Sequence, residues 1–148
     1  MVSRKHFLAI ASLFFLGVSS LLAGEKKHDH DEKPGPNGGE VQEVGDGDDH
    51  HVEIKHDKAS GKVTVWILAK DVKTLVAIKE APKVNLKSKS GNKQIEMVAI
   101  KLGDAGSAQW EAMDDGFKSD HLDGRLQIKL SDGKKYNVNL DAHHGHDH

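Results

Sequence analysis

Apolar and polar side chains alternate along most of this chain, and turn-forming residues interrupt them roughly every 8 to 12 positions, which confines the chain to short β-strands. Leu126, Ile128 and Leu130 alternate with Arg125, Gln127 and Lys129, so the apolar set lines one face of a strand. Ser131-Asp132-Gly133-Lys134 follows, with an Asp-Gly pair suited to a tight hairpin, and Tyr136, Val138 and Leu140 alternate beyond it. A second hairpin is predicted from a strand over 50–57, with Val52 and Ile54 on one face, a turn over 58–61 and a strand over 62–68. Residues 63–68 are apolar on both faces and predict a central strand covered on two sides.

Further strands are expected near 41–44, 75–78, 83–88, 94–102 and 108–113. The expected fold is all-β, an antiparallel sandwich or partly open barrel of about eight short strands. Segments 71–81 and 115–122 also fit helical patterns, so one short helix is expected. Lys83, Lys87 and Lys89 fall on one exposed strand face, where charge discourages edge pairing. Trp66, Trp110, Met97 and Met113 are expected to fill the core.

The ends have a different composition. Arg4 and Lys5 precede an apolar run from Phe7 through Ala23, the pattern of an export signal at 1–23. Cleavage after Ala23 is expected, with cleavage after Ser20 as the alternative, and the run is short for a bilayer span of about 20 residues. Its removal leaves 19 basic against 23 acidic side chains, a net charge near −4 that does not favour nucleic acid. Residues 24–39 hold Pro34, Pro36 and a glycine cluster, and read as a linker. The β domain is expected over 40–141 and a His-rich tail over 142–148, with both tails disordered. With 148 residues one core is expected.

The chain has no cysteine. An exported domain of this kind folds without disulfides, carries no cysteine-linked lipid and offers no thiolate, so a bound metal would use N and O ligands. Histidine supplies them. Of ten histidines beyond the signal, six sit in the tails at His28, His30, His143, His144, His146 and His148. Asp29, Asp31 and Asp147 accompany them. Neutral imidazole suits Zn, Cu(II), Ni and Co, and carboxylates serve as further ligands or as acceptors for the imidazole N–H. Flexible ligands must be ordered on binding, so moderate affinity is expected, which suits buffering or delivery. The competing view is that the tails only solubilise the chain.

Within the domain, alternation puts His50 and His56 on the face of Val52 and Ile54, and His51 with Glu53 and Asp57 on the other. His51 and Glu53 form the best local ligand pair, since same-face neighbours on a strand lie about 6 to 7 Å apart. Surface or satisfied histidines are the plainer account. His121 is an isolated ligand candidate in a polar loop.

No HExxH, GxSxG, GxxxxGK[ST] or cysteine nucleophile occurs, so a non-enzymatic role is expected. The run Gly35-Pro36-Asn37-Gly38-Gly39-Glu40-Val41, preceded by HDHDE and followed by His51-Val52-Glu53, resembles the His-rich GPHGG-containing segments of periplasmic heavy-metal efflux adaptor proteins. The resemblance covers residues 28–68 and, more loosely, the β domain to residue 140. It implies a periplasmic or secreted protein that binds divalent transition metal and hands it to an efflux complex, without stable membrane insertion once the signal is cleaved. Asn37 departs from the pattern where those segments often carry His, and the helical hairpin and lipoyl-like parts of an adaptor are missing. The alternative expectation is a non-catalytic envelope interaction domain with solubilising tails.

Overall fold

In a computed structural model, which describes residues 34–45, 47–88 and 91–140, nine strands follow one another. They are β1 (Glu40–Glu43), β2 (His50–Asp57), β3 (Lys62–Ala69), β4 (Lys83–Ser88), β5 (Gly91–Glu96), β6 (Val98–Ala99), β7 (Gln109–Met113), β8 (Gly124–Lys129) and β9 (Lys135–Asn139). A single 3-10 turn, Asp115–Lys118, precedes β8. All pairings are antiparallel, and they build one sheet in the order β1-β2-β3-β7-β6 and another in the order β5-β4-β8-β9. The two sheets do not close into a barrel. No helix among the described residues is long and apolar enough to cross a membrane.

Alternation dictates the core. Val52 and Ile54 of β2, Val63, Val65 and Ile67 of β3, and Trp110 and Ala112 of β7 pack against Val84 and Leu86 of β4, Leu126 and Ile128 of β8, and Val138 of β9. Burying each large aliphatic chain contributes about 1.5 to 3 kcal/mol, so this set is the main stabilising element. β3 is covered on both faces, since Trp66 and Leu68 are buried opposite Val65 and Ile67. Lys83 and Lys87 lie in β4 in alternation with buried Val84 and Leu86, on the face turned from the core. Lys89 lies outside the described residues.

Four expectations are corrected. The strand expected near 94–102 is two strands, because the chain changes sheets at buried Met97, whose N–H donates to the Pro82 carbonyl at 2.9 Å. The segment 75–78 makes only isolated bridges, Leu68 to Leu75 and Ile78 to Ser107, and no strand or helix forms over 71–81. There Asp71 draws the chain into a turn by accepting from the N–H groups of Lys73 and Thr74 and from the Thr74 hydroxyl. Met113 is 65% exposed at the end of β7 and fills no core position. Residues 34–39, read as the end of a linker, fold onto β2.

Candidate functional site

The turn at 34–39 forms because of one buried charge. Glu53 has no exposed surface in the middle of β2, between Val41 of β1 and Trp66 of β3. A carboxylate in such a place is costly unless donors surround it. The N–H groups of Asn37 and Gly39 both donate to Oε1 at 2.8 Å, and the Asn37 side-chain Nδ2 donates to Oε2 at 2.8 Å. The turn closes on itself through Gly35 N–H to Gly39 O at 2.8 Å and Gly38 N–H to Gly35 O at 2.9 Å.

Gly38 sits at φ +77°, a left-handed conformation that costs glycine little. Neighbouring N–H groups around such a residue form a concavity for anions, and here the anion is the chain's own. At Gly39 any Cβ would stand 2.6 Å from the Ile54 carbonyl oxygen, so the backbone must be bare where it crosses β2.

This arrangement decides what Glu53 can do. Its two oxygens accept from three N–H donors, so a ligand role would compete with the bonds that fasten the turn. His51 does share the outer face with Glu53, between Glu43 of β1 and Leu68 of β3. The residue is 9% exposed, and its Nδ1 is buried without a hydrogen-bond partner among the described residues. Asp57 caps the β2–β3 turn, where the Ser60 hydroxyl donates to it and holds its carboxyl below the ordinary carboxylate range. His50 lies at the far end of the core-facing row from His56. His28, His30, His143, His144, His146 and His148 lie outside the described residues.

A second arrangement escaped the sequence. His56 and His121, 65 positions apart, line one cavity of about 480 Å³ with Glu40, Lys55 and Asp120. It opens where the β1–β2 edge meets the loop before β8 and the end of β9, and Gln42 Nε2 donates to the Asn139 carbonyl at 2.9 Å across the same seam. His56 Nε2 is hydrogen-bonded to the Phe117 carbonyl oxygen. A carbonyl only accepts, so Nε2 is the donor of this bond.

Asp120 is paired with Lys58. That hydrogen bond, the Lys58 charge and, more weakly, His121 and His56 hold its carboxyl below its usual value. Pro34 and Leu140 line the same cavity. Among the described residues no three His, Asp or Glu side chains are grouped to hold a metal ion. The clue to Glu53 was present in the sequence as a lone acid between Val52 and Ile54. The placing of His56 and His121 on one cavity had no local signal.

Comparison with protein-family models, with curated proteins and with solved structures finds no match to this chain.

Proposed function

We propose that this chain binds divalent transition metal ions outside the cytoplasm through its His/Asp-rich ends, as a buffer or as a donor to an efflux system. The observation that supports this most directly is the shared position of Pro34 and Leu140 on one cavity wall. His143 follows Leu140 by three residues and His30 precedes Pro34 by four, so each is tethered within about 10 to 14 Å of chain at full extension. Such tethering raises the local concentration of imidazole without a rigid cage.

The test is titration of the purified chain, and of a version lacking 142–148, with Zn, Ni, Co and Cu(II). Uptake by the full chain that falls on truncation supports the proposal, and equal, negligible uptake by both ends it. Binding should weaken below about pH 6, since protonated imidazole cannot ligate and its ordinary pKa is about 6.5.

One observation favours an envelope interaction domain instead. Val98, Ile100, Leu102 and Met113 are exposed near the edge formed by β6, which is only two residues long. Exposed apolar side chains grouped along a sheet edge suit a protein partner. A partner captured from envelope extract in the presence of chelator, and lost in a Val98→Lys, Leu102→Lys variant, would favour that role.

A further inference from the structure

We propose that the outer face of the β5-β4-β8-β9 sheet binds an acidic oligosaccharide, with Arg125 holding a sugar carboxylate and the asparagines around it holding hydroxyls. The inference uses none of the histidines and stands apart from the metal-binding role.

It begins with where asparagine falls. The chain has five asparagines, and Asn85, Asn92, Asn137 and Asn139 line one groove of about 670 Å³ on this face, together with Gln94 and Arg125. The fifth, Asn37, donates to Glu53. Asparagine is disfavoured in strands, yet Asn85 lies inside β4 and Asn137 and Asn139 inside β9, in alternation with buried Val84, Leu86 and Val138. A face that only had to meet water would be served better by threonine.

The register turns these residues into an array. Gln94, Asn85, Arg125 and Asn139 are successive cross-strand partners and form one row across all four strands, about 14 Å long at the usual strand spacing. Lys87 pairs with Asn92 on one side of that row, and Gln127 with Asn137 on the other. Val84, Leu86, Leu126 and Val138, buried on the reverse of the same strands, fix the backbone beneath it. The array is therefore in place before a ligand arrives.

Its chemistry suits a sugar. An amide sets donors beside an acceptor and so matches a hydroxyl, which also does both, whereas a phosphate oxygen only accepts. Among the described residues the side chains of Asn92, Asn137 and Asn139 make no hydrogen bond, and Gln94 Nε2 donates to Asn85 Oδ1 at 2.7 Å, which leaves the Asn85 NH2 and the Gln94 carbonyl open.

The charges select an acidic sugar. Of the cations lining the groove, Lys87 pairs with Asp123 at 3.3 Å and Lys93 with Asp114, whereas exposed Arg125 has no carboxylate partner among the described residues. A guanidinium takes a carboxylate through two parallel N–H bonds. The chain as a whole carries 23 acidic against 21 basic side chains, which disfavours nucleic acid as the occupant. No aromatic ring lines the groove, so hydrogen bonds and charge carry the binding, and salt should weaken it.

The test is an NMR titration of the nitrogen-labelled full chain, with chelator present so that no histidine-bound ion takes part. The probes are short oligomers of galacturonate, glucuronate and mannuronate, the same oligomers with their carboxyls reduced to alcohols, and inorganic polyphosphate. At least one uronate series should shift the side-chain NH2 signals of the four groove asparagines and leave that of Asn37 in place. Arg125→Gln should weaken uronate binding by about tenfold and bring it level with the reduced form, and Asn139→Ala should weaken both by about threefold or more. Both positions are exposed, so thermal unfolding should match the parent, and Asn92→Ser replaces Asn139→Ala if that variant fails to fold.

If no uronate oligomer moves the groove signals, the proposal is overturned. Polyphosphate shifting them as strongly at equal charge would also overturn it, since general anion attraction would then account for the binding. If the reduced oligomers bind as well as the acidic ones and Arg125→Gln changes nothing, the carboxylate contact is overturned.

Discussion

Glu53 and His56 stand three residues apart on the same strand, yet Glu53 accepts three hydrogen bonds from one turn and His56 is tied to a single carbonyl. Glu53 looked like half of a ligand pair, but both its oxygens are taken by Asn37 and Gly39. His56 looked like a histidine at a strand end, and its Nε2 donates to the Phe117 carbonyl 61 positions away. Residue type therefore says less about chemistry than the number of partners already claimed. A buried polar group held by several donors is scaffold, because moving it breaks them all, whereas one held at a single point costs less to displace.

The contrast breaks if Glu53 proves dispensable. Glu53→Ala strands three N–H donors, two from the backbone, and should cost about 3 kcal/mol or more in urea unfolding. His121→Ala should change stability by no more than about 0.5 kcal/mol. Similar costs for the two would dissolve the distinction between scaffold and site.

Gly39→Ala tests the same fastening from the other side. Its Cβ would meet the Ile54 carbonyl at 2.6 Å and should cost about 2 kcal/mol by thermal unfolding. Asn37→Ala removes only the side-chain bond to Oε2 and should cost about 1.5 kcal/mol. Asn37→His should recover much of that loss if an imidazole N–H reaches the same oxygen. No recovery would show that the present turn is specific for the amide.

His51 sharpens the contrast in the opposite direction. Its buried Nδ1 lacks a partner, so His51→Leu should be neutral or stabilising by up to about 1 kcal/mol. A clear loss of stability would mean that the ring does more than pack.

The smallest effect is expected in acid. Thr74, through its hydroxyl and its N–H, and the Lys73 N–H hold Asp71 at a pKa of about 2 against an ordinary 3.8. A depressed carboxyl stabilises the fold above its unfolded value, and that contribution is lost as pH falls from about 4 to about 2. Asp71→Asn should flatten the stability-against-pH curve in that window, and an unchanged curve would remove Asp71 from the account.

Much of this fold was legible in the sequence. Alternation located the 50–57 strand and its partner, expected over 62–68 and observed over Lys62–Ala69, as well as the C-terminal hairpin, because in each case the hydrophobic period and the turn are local. What could not be read depends on distant partners. The 34–39 turn has its reason in Glu53, 14 to 16 positions away, so its Pro and Gly content looked like a linker. The break at Met97 exists because two sheets need one chain to pass between them, which no local pattern encodes. The His56 bond to Phe117 spans 61 positions, and with it the cavity was out of reach.

The bond from Gln42 to Asn139 has a practical consequence for engineering. It ties the first strand to the last across the gap between the sheets, and Pro34 and Leu140 line one cavity, so these two residues can be joined by a Gly/Ser bridge and new ends cut at the exposed Ser131–Lys134 bend. Such a circular permutant keeps both layers and every pairing except the covalent link from β8 to β9.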